Sequence, residues 1–163
     1  MSVTRETEKR EDTMQIRSAT SDDLTVVRGL LAEAALPLDG LEEQWGPGYA
    51  VAVDAGEVVG AAGIERHGRY GLLRSVVTAT GQRGRGIADS LVRNRLAWAG
   101  TEGLDGVFLL TTTAASYFPR LGFAAVERDA LPIEIRESRE FATVCPGSAV
   151  AMRCTLPAEP PPG

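Results

Sequence analysis

A glycine-rich segment at residues 82–88, Gln-Arg-Gly-Arg-Gly-Ile-Ala, constrains the fold of this chain more than any other feature. It joins an apolar, β-branched run at 72–78 to an amphipathic stretch at 87–99, and this pattern predicts a strand, a turn and a helix. The first amides of a helix have no partner inside the helix, and the helix dipole adds about half a positive charge there. Because glycines let an anion approach closely, the segment predicts a phosphate-binding loop.

The elements predicted around this loop form one domain at residues 14–156. Apolar patterning predicts strands at 14–18, 49–53, 58–65, 72–78, 106–111, 122–127 and 148–155. Helical spacing predicts helices at 24–36, 38–45, 87–99 and 113–119, whereas 128–147 reads as irregular. The three strands before the loop are antiparallel because tight turns join them. The fold class is therefore α/β (α+β), with a mixed, mostly antiparallel sheet of six to seven strands and about four helices.

The chain ends and the composition limit the classes of function. Residues 1–13 are highly charged and residues 157–163 are rich in proline, so both are predicted to be disordered tails. A net charge of −5 argues against a nucleic-acid binder, and no apolar run is long enough to span a membrane. The opening stretch also lacks the apolar core of a signal peptide, so we predict a cytoplasmic protein. No His, Cys and carboxylate cluster has metal-site spacing, and we predict no metal.

Glycine-rich loops of this kind also occur in dinucleotide-binding folds, in P-loop proteins and in plain turns. A dinucleotide fingerprint would follow an early strand and read Gly-x-Gly-x-x-Gly, and a P-loop would need Gly-Lys-Ser/Thr. Neither pattern is present at residues 82–88. A flexible turn without a ligand stays open, but the position after three antiparallel strands favours a phosphate site of another type.

Two motifs resemble the GNAT superfamily of N-acetyltransferases. Residues 83–88 resemble its acetyl-CoA motif, Arg/Gln-x-x-Gly-x-Gly/Ala, with Arg83, Gly86 and Ala88 at the defined positions. Residues 117–123, Tyr-Phe-Pro-Arg-Leu-Gly-Phe, resemble its second signature, a short helix that closes on Gly-Phe. The resemblance covers almost all of residues 14–156. It implies the GNAT fold, acetyl-CoA as the cofactor and direct transfer of an acetyl group to an amine in a ternary complex.

Four further segments resemble the arsenic-resistance-associated N-acetyltransferases, which are grouped with the glutamate N-acetyltransferases. These segments are residues 36–41, 72–76, 109–114 and 141–152. This closer resemblance implies a small, amino-acid-like amine as the acceptor, with an arsenic-containing one left open. A protein N-terminus or lysine as acceptor, and a non-catalytic acetyl-CoA-binding module, remain alternatives. A homodimer also stays open, because GNAT proteins often dimerise.

The resemblance assigns residues to the cofactor and to the transfer step. Those expected to hold acetyl-CoA are Val76, Val77, Thr78, Arg83, Gly84, Arg85, Gly86, Ile87 and Ala88. The Val76 amide is expected to face the thioester oxygen where the fourth and fifth strands splay, and such a donor is worth roughly 3–4 kcal/mol in the transition state. Glu65 is the preferred general base, acting through a water, with a solvated strand-end glutamate as the alternative. His67, the only histidine, reads as a surface residue.

The general acid departs from the family pattern. GNAT enzymes often have a tyrosine five residues before the Phe of Gly-Phe, and this chain has Phe118 at that position. Tyr117 lies one residue earlier, which is about 100° around a helix. Tyr117 therefore either reaches in differently or transfer proceeds without a tyrosine acid. Because a thiol has a pKa of about 8.5, a thiolate can leave without a strong acid.

Acceptor contacts are predicted at Arg74, Ser75 and Thr112. Strand alternation puts Arg74 and Ser75 on opposite faces. Arg74 lies among apolar residues and needs an anionic partner, either a substrate carboxylate or a structural Glu or Asp. The hydroxyls of residues 111–113 either touch a ligand or cap the next helix. Cys145 reads as a small buried cysteine, because a trivalent arsenic site would usually want three thiols and the chain has two.

Overall fold

A computed structural model gives the structure of this protein and describes residues 14–38, 40–112, 114–138 and 149–156. The two predicted tails at 1–13 and 157–163 lie outside the described residues. The same holds for Thr113, for Cys145 and for residues 139–147 of the stretch predicted to be irregular.

Seven strands and four α-helices make up the regular structure of the described residues. The strands are β1 (Gln15–Ser18), β2 (Tyr49–Asp54), β3 (Glu57–His67), β4 (Tyr70–Thr78), β5 (Gly106–Thr111), β6 (Ala124–Val126) and β7 (Val150–Thr155). The α-helices are α1 (Leu24–Glu33), α2 (Leu41–Gln44), α3 (Ile87–Thr101) and α4 (Ile133–Arg136). Short 3-10 helices occur at Ser21–Asp23, Thr80–Gln82, Phe118–Leu121 and Arg128–Ala130.

The strands form a single sheet in the order β1-β2-β3-β4-β5-β7-β6. Strands β1 to β4 are an antiparallel meander, and β7 pairs antiparallel with both β5 and β6. Only β4 and β5 are parallel neighbours, and α3 lies in the connection between them. The predicted fold class is therefore confirmed: a mixed, mostly antiparallel sheet with four helices.

Helices cover both faces of the sheet because each carries one apolar stripe. Val27 and Leu31, four residues apart on α1, are fully buried in one core cluster with Val51 of β2. Ile87 and Leu91, four apart on α3, are buried in another cluster that contains alanines of β2 and β3. Burial of a side chain of this size contributes about 1.5–3 kcal/mol, so these stripes hold the helices against the sheet.

Two predicted segments differ from the structure. The helix expected at 113–119 is a 3-10 helix at Phe118–Leu121, which ends at Gly122 in a left-handed conformation with φ 99°. The stretch from 128, predicted to be irregular, holds a 3-10 helix and α4, whose Ile135 is buried with Leu72 and Phe108. Helices of three or four residues show no periodicity, and tertiary burial stabilises them rather than local propensity.

The ring of Tyr49, a fully buried residue of β2, packs directly against Gly63 of the neighbouring strand β3. A Cβ atom at Gly63 would lie 2.3 Å from Cε2 of Tyr49. We expect Gly63→Ala to lower the free energy of unfolding by about 1–3 kcal/mol, because overpacking forces the ring or the backbone to move. The matched control is Gly46→Ala, where an added Cβ meets nothing within 4 Å. Equal urea midpoints for the two variants would contradict this prediction.

Candidate active site

The strands β4 and β5 separate after a short parallel pairing. Only Tyr70, Gly71 and Leu72 of β4 pair with β5, although β4 continues to Thr78. A cavity of about 350 Å³ lies where the two strands diverge, lined by residues of both. The predicted splay of the fourth and fifth strands is therefore present.

A β-bulge in β4 shapes this cavity. Ala61 pairs with Val77 and Gly63 with Arg74, so the single residue between them on β3 opposes both Ser75 and Val76. Ser75 has φ 61°, a left-handed conformation that non-glycine residues rarely adopt. Its hydroxyl lies 3.4 Å from the hydroxyl of Tyr49 in the protein interior.

The bulge corrects the expectation that Arg74 and Ser75 point to opposite faces. Arg74 bonds to the loop after α1 and the Ser75 hydroxyl lies beside Tyr49, which packs with α1, so both side chains lie on the α1 face because the extra residue breaks the two-residue alternation of the strand. Val76, whose side chain packs with α3, lines the same cavity as these two residues. Thr112 and Tyr117 line the cavity from the other side. Five residues predicted for acceptor binding and catalysis are thus brought together, and they share the cavity with apolar side chains such as Leu36, Leu73, Leu109 and Phe118.

The sixth predicted residue, Glu65, is buried behind Arg74. Arg74 Nη1 donates a hydrogen bond of 2.7 Å to Glu65 Oε2, and both side chains are at most 2% exposed. Arg74 Nη2 also donates to the carbonyl oxygen of Pro37 at 3.2 Å. Of the two partners open for Arg74, the structural carboxylate is therefore present. Arg74 joins the loop after α1 to the third and fourth strands.

Glu65 also contacts the only histidine of the chain, and two neighbours keep it ionised. His67 Nε2 lies 3.1 Å from Glu65 Oε1, and its side chain is 19% exposed. Burial disfavours the ionised form of Glu65, but hydrogen bonds with His67 and Arg74 outweigh burial and lower its pKa below the usual value. The carboxylate is consequently a weaker base than an ordinary glutamate.

A second cavity of about 650 Å³ extends from the first along the glycine-rich loop. We call it the cofactor groove. It shares Leu36, Val76, Ala88, Ala114 and Tyr117 with the first cavity, so the two are continuous there. Most residues predicted to hold a cofactor line it: Val76, Val77, Thr78, Arg83, Gly84, Gly86, Ile87 and Ala88. Arg85 instead donates a hydrogen bond of 2.9 Å to Asp54 Oδ2 and also contacts Gln82, so its side chain points toward the β2–β3 turn.

The loop in the cofactor groove fits a diphosphate. Gly84 and Gly86 have φ 85° and 76°, and a Cβ at either would meet nothing within 4 Å. Gly86 is the N-cap of α3 and has no side chain that could cover the first-turn amides. Unpaired amides, the positive end of the helix dipole and Arg83 together form a site that recognises anionic oxygens.

Tyr117 belongs to a cluster that sequence reasoning missed. Its hydroxyl donates a hydrogen bond to Asp89 Oδ1, and Arg120 Nη2 donates to the same oxygen at 2.8 Å. Burial, reinforced by the hydrogen bond to Asp89, raises the pKa of Tyr117 to about 12. Asp89 occupies the third position of α3, a place where a carboxylate is common for helix stability alone, so its sequence position gave no functional signal.

No group of three or more His, Cys, Asp or Glu side chains that could bind a metal ion occurs within 14–38, 40–112, 114–138 and 149–156. Within the same residues, none of the helices combines the length and the apolar character that crossing a membrane requires.

Solved acetyltransferase structures resemble this fold at low sequence identity. N-acetylglutamate synthase from Neisseria gonorrhoeae, complexed with coenzyme A and L-arginine, superposes with a TM-score of 0.73 and 19% identity over 88% of this chain. The present chain spans only 33% of that enzyme. Rv2747 from Mycobacterium tuberculosis, in complex with CoA and NLQ, gives a TM-score of 0.71 and 23% identity, covering 87% of this chain and 99% of Rv2747.

A third similar structure is the ribosomal-protein-S18-alanine N-acetyltransferase from Escherichia coli. Its TM-score is 0.68 at 14% identity, covering 88% of this chain and 94% of that enzyme. No curated protein sequence matches the chain significantly. The model of the acetyltransferase (GNAT) family matches residues 14–123, which is more than half of the chain. With the fold, the groove and this match in agreement, the chain belongs to the acetyltransferase (GNAT) family, and its cofactor is acetyl-CoA.

Proposed function

We propose that the protein acetylates the amine of a small, amino-acid-like acceptor by direct transfer in a ternary complex. The observation that carries this proposal is the 350 Å³ cavity between β4 and β5, which holds the buried Arg74 and opens into the cofactor groove. A guanidinium in an otherwise mostly apolar cavity recognises a carboxylate well. A carboxylate-bearing amine of amino-acid size therefore suits the cavity best.

The walls of the cavity support a small acceptor over a protein chain. Leu36 and Pro37, from the loop after α1, line the cavity together with residues of β4 and β5, and its volume of about 350 Å³ is at the small end for ligand pockets. The similar structures include one bound to L-arginine as well as coenzyme A, and another that acts on the alanine of a ribosomal protein. An arsenic-containing amino-acid analogue falls in the proposed class, and the resemblance to arsenic-resistance-associated N-acetyltransferases is the reason to test one.

The β4 bulge supplies the proposed electrophilic assistance. A bulge leaves its extra residue outside the ladder of hydrogen bonds, and the amide near Val76 is proposed to face the thioester oxygen for this reason. A preorganised donor of this kind stabilises the oxyanion of a transition state by roughly 3–4 kcal/mol. Thr112 lies across the cavity and is proposed to contact the acceptor.

Glu65 is proposed to serve the reaction through Arg74. As a base it would act through a water, but its lowered pKa and its bond to Arg74 make that role weak. Its stronger contribution is to hold the guanidinium where an acceptor carboxylate can reach it. The side chain of Tyr117 is a poor acid because its pKa is about 12, so we propose that the thiolate leaves without a tyrosine proton. As the new N–C bond forms and the C–S bond breaks, the proton of the amine passes to water, which also protonates the thiolate if CoA leaves as the thiol.

The acceptor class can be tested by release of free CoA thiol across a matched panel of amines. We expect turnover with free amino acids, and a loss of about 1.5–3 kcal/mol in kcat/KM, roughly tenfold to hundredfold, for the corresponding amino-acid amides, because they lack the carboxylate that is proposed to contact Arg74 in addition to Glu65. The panel includes short peptides and an arsenic-containing amino-acid analogue. Faster turnover of peptides than of free amino acids, or equal rates for acids and amides, would overturn the proposal.

A further inference from the structure

The cluster of Asp89, Tyr117 and Arg120 occupies the wall of the cofactor groove. Asp89 lies in the first turn of α3, the turn whose amides face the phosphate site, and the other two lie on the segment after β5. Both hydrogen bonds of the cluster end on Asp89 Oδ1. The guanidinium of Arg120 also lies 4.7 Å from the centre of the Tyr117 ring. The three side chains therefore form one unit that links two separate elements.

The ring of Tyr117 stands at the junction of the two cavities. Tyr117 lines both the cofactor groove and the cavity between β4 and β5, whereas Asp89 and Arg120 line only the groove. A cofactor that has its phosphates in the groove and its acetyl group in the cavity must pass this ring. The ring is therefore one wall of the junction, packed against Phe118, and the bond to Asp89 holds its hydroxyl end.

The carboxylate of Asp89 disfavours phosphate binding at this helix end, so its presence there calls for a second role. Its carboxylate shares the helix end with the amides that bind an anion, and like charges a few ångströms apart repel. The pKa of Asp89 is lowered, first by the hydrogen bond from Tyr117 and then by Arg120, so the carboxylate is ionised. Arg120 and the hydroxyl of Tyr117 compensate the charge locally.

We propose that Asp89 is a positioning residue for acetyl transfer: its carboxylate anchors the Tyr117 ring at the junction of the two cavities, and Arg120 shields the cofactor phosphates from its charge. The inference rests on the acetyl-CoA groove and is independent of the identity of the acceptor. Its two parts make separate predictions. One substitution removes the Tyr117 hydroxyl that bonds to Asp89 (the anchor), and another removes the Arg120 guanidinium that compensates the charge of Asp89 (the shield).

The anchor is tested with Tyr117→Phe, which keeps the ring and removes the hydroxyl. We expect the KM for acetyl-CoA to rise about threefold to fivefold, the size of one lost part-buried hydrogen bond, with a smaller change in kcat and with the alkaline limb of its pH profile retained. In an Asp89→Ala background the same substitution should have no further effect. In an Asp89→Asn background, where the amide oxygen still accepts the hydroxyl proton, the effect should persist.

The shield is tested by direct binding of acetyl-CoA without an acceptor. We expect Arg120→Gln to weaken binding about threefold to fivefold at low ionic strength, less at high salt, and not at all in an Asp89→Asn background. Arg66→Gln is the matched control, because Arg66 is also an exposed arginine paired with a carboxylate, that of Glu102. Additive effects in either double variant would overturn the proposal, as would loss of the alkaline limb in Tyr117→Phe, which would make Tyr117 the acid.

Discussion

Replacing Gly86 with glutamate is expected to weaken acetyl-CoA binding at least about hundredfold. Gly86 is the N-cap of α3, and a side chain there would extend into the open space of the groove beside the first-turn amides. A carboxylate at that point repels the cofactor diphosphate and occupies the amides itself. Repulsion of about 3 kcal/mol at short range in a partly screened site corresponds to that factor. Isothermal calorimetry with acetyl-CoA measures it directly.

The control for this experiment is Gly103→Glu, at the other end of α3. Gly103 has φ 78°, close to the 76° of Gly86, and an added Cβ also meets nothing within 4 Å. Both variants therefore incur the same left-handed strain, about 1–3 kcal/mol, and the same added charge. We expect a melting temperature for Gly103→Glu no higher than that for Gly86→Glu, because the helix dipole disfavours a carboxylate at the C-terminal end, but normal acetyl-CoA binding only for Gly103→Glu. Normal binding in Gly86→Glu would show that the loop does not hold the cofactor.

Replacing Arg74 with methionine is expected to destabilise the fold by about 3–5 kcal/mol. Arg74 and Glu65 are both almost fully buried, and the substitution leaves the carboxylate of Glu65 without its guanidinium. An ionised group that loses its buried partner keeps the desolvation penalty and loses the attraction that offset it. Chemical denaturation at neutral pH measures the loss.

The contribution of the Arg74–Glu65 pair to the stability of the fold depends on pH with a defined sign. The native pKa of Glu65 is lowered, so the pair stabilises the fold above the pKa of an unfolded glutamate and loses that contribution as the pH falls through the native value. Without Arg74, burial is opposed by His67 but no longer by the guanidinium, so the pKa of Glu65 is higher in the variant than in the native protein. The difference in stability between the two proteins should therefore be largest near neutral pH and shrink on acidification, as Glu65 of the variant takes up a proton.

Two further variants show whether an uncompensated buried charge or a lost packing contact causes the destabilisation by Arg74→Met. Glu65→Gln combined with Arg74→Met should be more stable than Arg74→Met alone, because no buried charge is left uncompensated. Arg66→Met, which breaks an ion pair with side chains 50% and 39% exposed, should change stability by less than about 1 kcal/mol. If the double variant is as unstable as the single one, packing of the Arg74 stem rather than charge is responsible.

The order of elements and the cofactor loop could be predicted from sequence because both depend on local patterns. Alternation marked the strands, and two glycines before an amphipathic helix marked the loop that lines the groove. The segments that the prediction missed are short: the 3-10 helix at Phe118–Leu121 and α4 follow contacts with the core rather than local propensity.

The site was harder to predict because its geometry depends on distant pairs. Arg74 and Glu65 are nine residues apart in the chain, and Tyr117 and Asp89 are 28 apart. The residue types are visible in the sequence. Which residue each of them contacts depends on the strand register and on where the segment after β5 packs. The partner of Arg85 was equally hard to predict, because its side chain was expected at the cofactor and contacts Asp54 instead.

By itself, the sequence determined the order of strands and helices, the antiparallel run of strands and the glycine-rich loop, because periodicity and turn chemistry act within about a dozen residues. Only the tertiary structure decided that Arg74 and Ser75 point to the same face of the sheet, and that Glu65 is the carboxylate that Arg74 meets. The physical reason is the bulge at Ser75 and Val76, which no alternation pattern contains. One extra residue between two paired positions brings Arg74, Ser75 and Val76 into a single cavity.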